Sequence, residues 1–379
     1  MRNSLIKNTL ALSICICIFF MPENIYAYQV GDMDIDIKGS LNGQYDDNIN
    51  FSETNAKSDF VTVLSLGADI NLIGRQQVFS LNGNIRHNLF SKYSNFSNTS
   101  KYIALKYKSD LSRYDRVSVS NTFTHSQEPG SFDDSFGRTS GRYSRYINRF
   151  NIDYSKDITK QIFLSFRFGN ETNEITREDI LDSVLYKTGA TIGYFMSSET
   201  IFSLAYDFSQ REFDPGSKIT TNTATVGMRH YLTGQLYLES TIGLDFISFS
   251  SSSKETQPAF MVSLVNEFDD QTIGGIYFVK QYTTSSDTED LFDSWKLSCS
   301  YGRQMIERLR CSLSAFYGEG DYISLRLKDK QSGISGTVTY DITENIQGRI
   351  SYTYTNIDST LNTREYSRNT LLLGITWKF

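Results

Sequence analysis

Histidine is the first residue type to examine for acid–base chemistry, because it changes protonation near neutral pH. The chain contains three histidines, His87, His125 and His230. Each lies near the end of a predicted strand, on the same face as the apolar side chains, whereas a general base must reach a bound substrate. The sequence has no HExxH, GxSxG or Cys/His metal-binding spacing. We therefore expect no enzymatic activity, no cofactor and no metal site.

Cysteine is the other reactive residue type, and Cys299 and Cys311 are the pair that lies beyond the N-terminal segment. They flank a short turn predicted near Met305. If the hairpin is symmetric about that residue, the two side chains lie directly opposite each other and could form a structural disulfide in an oxidising compartment. Two unbonded thiols on an apolar surface are the alternative.

Composition excludes several classes of protein. The 379 residues are 39% hydrophobic and 14% aromatic with only 4 prolines, which is unlike a disordered chain. The 37 basic and 43 acidic residues give a net charge of −6, so a nucleic-acid partner is not expected. With a mean hydropathy of −0.35 and no run of 18 apolar residues, a helical membrane protein is excluded as well.

The N-terminus predicts export. Arg2 and Lys7 precede an apolar stretch over residues 10–21, and Ile25-Tyr26-Ala27 offers a cleavage site. We expect a signal peptide over residues 1–27 and one β-barrel domain over residues 28–379.

The remaining chain alternates between apolar and polar residues with a period of two, which is typical of β-strands with one apolar face. In residues 34–45 the odd positions include Ile35, Ile37, Leu41 and Tyr45, whereas the even positions are polar. The same pattern recurs over residues 60–72, 79–89, 150–154, 162–168, 202–208 and 236–246. No segment has the period of an amphipathic helix.

The connections between predicted strands alternate between short turns and long polar loops. Short turns occur near residues 74–75, 113–115, 155–157 and 197–198, and long loops over residues 46–57, 126–141, 171–182 and 358–365. This alternation, with aromatic residues near the strand ends, indicates an all-β transmembrane antiparallel up-and-down β-barrel. We predict about 18 strands, with 16 as the alternative count. A soluble β-sandwich or propeller would also alternate, but gives no reason for the regular loop lengths.

The last strand carries apolar residues on one face and ends on an aromatic residue, as bacterial outer-membrane barrels do. We expect this face to be the signal recognised by the barrel assembly machinery: Leu371, Leu373, Ile375, Trp377 and Phe379.

If the apolar face contacts lipid, the opposite face lines the lumen. The basic residues predicted to line it are Arg86, Lys106, Lys108, Arg145, Arg149, Arg167, Lys187, Arg211, Arg229, Lys296, Arg310 and Arg349. Acidic residues on this face are fewer: Asp69, Asp110, Asp153, Asp207, Glu239, Asp245 and Glu267. A basic lumen would favour anions. The alternative is that these arginines pair with carboxylates and fill a closed interior.

The chain resembles the outer-membrane β-barrel porin families associated with exopolysaccharide export loci. The resemblance rests on the export signal, the Tyr45-Asp46-Asp47-Asn48-Ile49 segment after the first strand, strands spaced by about 20 residues, and the terminal Trp377-Lys378-Phe379. It implies a conduit for polysaccharide in the outer membrane, with periplasmic export proteins as partners.

Three functions follow as alternatives. The first is passage of an exopolysaccharide or other anionic solute through the basic lumen, with Tyr102, Phe163, Arg149 and Arg167 as a track for sugars and anions. The second is a general diffusion porin for small anions. The third is a closed barrel that acts as an adhesin or scaffold through its long loops. All three place the protein in outer-membrane lipid.

Overall fold

The computed structural model describes residues 33–128, 141–178, 180–214, 216–250, 254–269, 271–284 and 290–379. The predicted signal peptide lies outside these residues, as does most of the predicted loop over residues 126–141.

The described chain forms 18 antiparallel strands and two single-turn 3₁₀ helices, Ser94–Phe96 and Asn362–Arg364. The strands are β1 Met33–Asp46, β2 Asp59–Ile73, β3 Gln77–Phe90, β4 Asn98–Asp110, β5 Asp115–Ser126, β6 Arg145–Asp157, β7 Ile162–Ile175, β8 Asp182–Phe195, β9 Thr200–Asp214, β10 Lys218–Tyr231, β11 Leu236–Phe249, β12 Lys254–Asp269, β13 Thr272–Thr284, β14 Leu291–Ile306, β15 Leu309–Tyr322, β16 Leu327–Asp341, β17 Ile346–Ser359 and β18 Tyr366–Lys378. In the part of the chain that the structure describes, no helix is long and apolar enough to cross a membrane.

Each strand pairs with its sequence neighbours, and β1 pairs with β18, so the sheet closes on itself. The closing register runs from Lys38 opposite Lys378 to Asp46 opposite Thr370. Closure leaves no sheet edge with unpaired backbone groups, which is the condition for a sheet to span a membrane. The predicted up-and-down barrel with 18 strands is confirmed.

The outer surface of the barrel is apolar. Leu66 is 62% exposed and Ile242 69% exposed, and both lie on outward positions of their strands. Tyr45, the penultimate residue of β1, and Tyr194, the penultimate residue of β8, are also exposed, at opposite ends of the barrel. Such a surface is stable in lipid rather than in water, with aromatic rings at both interfaces.

The connections differ between the two ends. Turns such as residues 111–114 and 307–308 lie at one end, here called the turn end, whereas connections such as residues 47–58 and 91–97 lie at the other, the loop end. Not every loop-end connection is long: β7 continues to Ile175, so the predicted loop over residues 171–182 is shortened to residues 176–181. This places Glu171 in a strand.

The predicted disulfide between Cys299 and Cys311 is not formed, and both cysteines are free. The hairpin is centred on Glu307 rather than Met305, because β14 continues to Ile306 and the turn is formed by Glu307 and Arg308. Cys299 therefore lies opposite Ala315, and Cys311 opposite Arg303. Four residues of offset along a strand correspond to about 13 Å, whereas a disulfide needs Cα atoms within about 7 Å.

Candidate functional site

The candidate site is the lumen face of the barrel wall. Side chains alternate between the two faces of a strand. The register is continuous around the barrel except for shifts at the turn ends of β12 and β14, so the face of each strand residue outside those two places is fixed. All the basic residues predicted for the lumen lie on this face: Arg86, Lys106, Lys108, Arg145, Arg149, Arg167, Lys187, Arg211, Arg229, Lys296, Arg310 and Arg349. Their role in passage stays a prediction.

From β6 to β11 the lumen arginines are paired with carboxylates, except that Arg145 donates to the amide oxygen of Asn173. Glu171 accepts hydrogen bonds from Arg149 at 2.7 Å and from Arg211 at 3.2 Å. Arg229 binds both carboxylate oxygens of Glu239, at 3.1 and 3.2 Å. We call this part of the wall the paired wall, and its charges largely cancel. This is the arrangement that the alternative of a closed interior predicts for the whole lumen.

A glycine makes one of these pairs possible. Arg167 on β7 binds Asp207 on β9 at 2.8 Å across the intervening strand β8. Gly189 lies between them, and a Cβ atom at that position would overlap the carboxylate of Asp207. The missing side chain thus allows an ion pair to span two strands.

The lumen face of β3, β4, β15 and β17 is different. Its basic residues have no hydrogen-bond or ion-pair partner among the described residues: Arg86, Lys106, Lys108, Arg310 and Arg349. All five are exposed to the lumen. We call this part the free cationic wall. Lys187 on β8 also has no side-chain partner among these residues, so the unpaired cations of the lumen are concentrated on one side of the barrel but are not confined to it.

Arg86 and Arg349 face a common cavity of about 590 Å³ inside the barrel. Serine, threonine and asparagine side chains make up nearly half of its lining residues, including the hydrogen-bonded hydroxyl pair Ser335 and Thr353 at 3.1 Å. We call this cavity the arginine chamber. Its chemistry suits a polar anion, since two guanidinium groups face it without a bound carboxylate.

The loop-end roof of the chamber is apolar and is formed partly by the β1–β2 connection, residues 47–58. Ile49 of this connection is fully buried against Val61, Val63 and Phe90, all of which face the lumen. The first loop is therefore folded into the barrel mouth rather than extended from it.

Phe51 of the same loop packs edge-on against Tyr366, with the ring centroids 5.3 Å apart. Its φ of 56° is unusual for a residue other than glycine. Such a conformation costs about 1–3 kcal/mol and persists where the surrounding structure holds it. The contacts made by Phe51 thus hold the loop in this position.

Arg142, from the β5–β6 connection, stabilises the roof of the chamber. Its guanidinium donates to the backbone oxygen of Ile49, forms an ion pair with Glu128, and lies over the rings of Phe51 and Phe90, 5.4 and 4.9 Å from their centroids. Burial, together with the nearby charge of Arg368, lowers the pKa of Arg142 below its ordinary value. The carboxylates near it compensate part of this cost.

The other predicted residues lie where the alternation placed them. His87, His125 and His230 face outward, and each shares a hydrogen bond with a hydroxyl, of Thr99, Ser144 and Thr200 respectively. Leu371, Leu373, Ile375 and Trp377 face outward on β18, and Phe379 is 78% exposed. Recognition of this face by the assembly machinery stays a prediction.

The sequence did not indicate the roles of Asp46, Glu171, Arg142 and Arg368. Arg368 could have been found, because it occupies the lumen register of the last strand, opposite Thr355. Glu171 was missed because it was assigned to a loop. Arg142 lies in a loop, and a loop has no periodic sequence pattern from which its position inside the barrel could be predicted.

Comparison with known proteins agrees with the fold. Residues 293–379 match the model of the family described as "Putative beta-barrel porin 2", which confirms the resemblance to an outer-membrane β-barrel porin family over this part of the chain. No curated protein matches the sequence.

Several solved outer-membrane proteins are similar in structure. The FrpB iron transporter of Neisseria meningitidis has a TM-score of 0.48 and 9% identity, covering 88% of this chain, which spans 65% of that protein. OccAB3 of Acinetobacter baumannii has a TM-score of 0.46 and 12% identity, with 91% of this chain and 99% of that chain covered. OpdK of Pseudomonas aeruginosa has a TM-score of 0.48 and 10% identity, covering 91% and 99%.

Proposed function

We propose that the protein is a channel of the bacterial outer membrane that passes anionic solutes through its basic lumen. The barrel with its apolar exterior and the porin-family match indicate the membrane. The observation that carries the preference for anions is the free cationic wall, in which Arg86, Arg349 and their neighbours have no carboxylate partner.

The number of basic residues in the lumen does not by itself establish a preference for anions. Arg149 and Arg211 share Glu171, Arg167 pairs with Asp207 and Arg229 pairs with Glu239. Three carboxylates thus offset the charge of three of these four arginines, so together they add little to the field in the lumen. Unpaired charges on a low-dielectric wall raise the local concentration of the opposite ion. The side of the lumen formed by β3, β4, β15 and β17 therefore supplies the selectivity.

Recording single channels of the purified protein in a planar bilayer tests this function. Under a potassium chloride gradient we expect a reversal potential of the sign set by chloride, with a selectivity that weakens at high salt because fixed charges are screened. A cation-selective or non-selective open channel would contradict the proposal, and so would a barrel that never opens.

Passage of an exopolysaccharide is a more specific form of the same function. Tyr102 and Phe163 both face the lumen, where aromatic rings can stack on sugar rings. Deletion of the gene would then abolish surface polysaccharide while its precursors accumulate. Unchanged surface polysaccharide in the deletion strain would restrict the function to small anions, as in a general diffusion porin.

A further inference from the structure

The arginine chamber differs from the rest of the free cationic wall in its shape and its walls. Lys106, Lys108 and Arg310 lie outside it, whereas Arg86 and Arg349 both line it. Arg86 is on β3 and Arg349 on β17, four strands apart around the closure, and both guanidinium groups line the same cavity. Two cations that repel each other are stabilised by an anion between them.

The chamber walls offer hydrogen bonds rather than further charge. Ser40, Ser65, Ser314 and Ser351 contribute hydroxyls, and Asn42 and Asn88 contribute amides. Hydroxyls and amides both donate and accept hydrogen bonds, so they match a solute that itself carries several hydroxyl groups. The volume of about 590 Å³ lies within the range of about 300–1,000 Å³ that is common for small-molecule sites.

The apolar roof limits the orientation of a bound solute. Phe51, Phe90 and Tyr366 close the loop end of the chamber, and Arg142 and Arg368 are already held there by Glu128 and Asp46. The anionic group of a bound solute would therefore lie against Arg86 and Arg349. Its apolar face would pack against the aromatic side chains of the roof.

We infer that the arginine chamber is a saturable binding site for a small, hydroxyl-rich solute that carries one anionic group, such as a sugar acid. Arg86 and Arg349 hold the anionic group, and the serine and asparagine side chains hold the hydroxyls. This inference rests on the proposed function, because the solute must reach the chamber through the lumen. It adds a specific site to what would otherwise be a diffuse attraction of anions.

Isothermal titration calorimetry of the purified barrel in detergent tests the site without requiring ion passage. The probes are glucuronate, glucose as its neutral analogue, and acetate as an anion without hydroxyls. We expect saturable binding of glucuronate, and much weaker binding of acetate and of glucose. Equal binding of glucose would contradict the role of the arginines, and equal binding of acetate the role of the hydroxyl walls.

Paired variants separate the site from the channel. Arg86→Gln with Arg349→Gln should weaken glucuronate binding about tenfold or more, since charged hydrogen bonds are the strong class. Lys106→Gln with Lys108→Gln removes the same charge outside the chamber and should leave glucuronate binding within about twofold, while reducing anion selectivity. Arg86→Lys with Arg349→Lys, which keeps the charge, should retain intermediate binding and shows that the site has folded.

Failure of the binding site and failure of the proposed anion channel give different results. If the barrel selects anions but glucuronate binding is absent, or is unchanged in the Arg86→Gln, Arg349→Gln variant, this inference is wrong and the proposed function stands. If glucuronate binds in the chamber but the open channel has no preference for anions, the proposed function is wrong and the binding site stands.

Discussion

Arg368 donates three hydrogen bonds to the carboxylate of Asp46 across the seam between the last and the first strand, at 3.1, 3.2 and 2.5 Å. Asp46 is fully buried, and Asn369 next to Arg368 binds Asp47 in the same way, through its backbone and side-chain nitrogens at 2.7 Å each. The seam of the barrel and the folded first loop are thus held by the same buried ion pair.

Replacing Asp46 by Asn should destabilise the barrel, because it leaves the buried Arg368 with only the more distant carboxylate of Glu128, at 3.7 Å, and removes a carboxylate near Arg142. Breaking a buried pair from one side costs about 3 kcal/mol, measured as the free energy of unfolding in urea with the protein in lipid vesicles. The control is Asp321→Asn, which breaks the exposed pair with Lys328 and should cost less than about 1 kcal/mol. If the two variants lose similar amounts of unfolding free energy, the ion pair at the seam makes no special contribution to the stability of the barrel.

Arg142→Ala should weaken the packing of the first loop, residues 47–58, in the barrel mouth. The substitution removes the donor to Ile49 and the cation above Phe51 and Phe90, so we expect a larger or more frequently open single-channel conductance. Lys92→Ala is a suitable control, since Lys92 lies over the ring of Tyr93 in another loop and does not contact Arg142. A conductance that is the same in the wild type and in the Arg142→Ala variant would show that the first loop does not limit passage.

The first loop should also respond to pH through Glu53. A hydrogen bond with Glu365 and the charge of that residue raise the pKa of Glu53 above its ordinary value. The folded loop therefore binds more protons than the unfolded one, and its stability falls as the pH rises through the raised pKa. Hydrogen exchange of residues 47–58 should be slower at pH 4.5 than at pH 7 after correction for the intrinsic rate.

In the Glu53→Gln variant the repulsion is absent at either pH, so the corrected protection of residues 47–58 should no longer change between pH 4.5 and pH 7. A pH dependence that persists in this variant would assign the effect to other groups.

Gly189→Ala tests the cross-strand ion pair. The added methyl group would overlap the exposed end of the Asp207 side chain and displace it from Arg167, so we expect a loss of less than about 1 kcal/mol in the free energy of unfolding, the range for an exposed ion pair. Gly83→Ala is the matched control, because a Cβ at Gly83 meets nothing within 4 Å. Equal stability of the two variants would mean that the pair can rearrange freely.

Much of the barrel could be predicted because its alternation is regular. The strand count, the outward histidines and the lumen face of the basic residues all follow from a period of two, which needs no knowledge of distant contacts. The cysteines show the limit of this method. The turn lies at Glu307 and Arg308, two residues beyond the predicted centre, and this displacement changes every cross-strand partner in the hairpin.

The charge balance of the lumen could not be predicted in the same way. Whether Arg149 is free or paired depends on Glu171, which lies on the next strand at a position that the sequence assigned to a loop. The roof formed by Ile49 and Phe51 was missed for a different reason, since loops have no period from which a position inside the barrel could be inferred.

The reversal potential of charge-neutralised variants in a planar bilayer tests the central claim most directly. Arg86→Gln with Arg349→Gln removes two free charges, whereas Arg229→Gln with Glu239→Gln removes one cation together with its anion. We predict a loss of anion selectivity of about thirtyfold in the first variant, from a loss of about 1 kcal/mol of attraction at each of the two charges, and no change in the second. Unchanged selectivity in the first variant, or an equal change in both, would contradict the account.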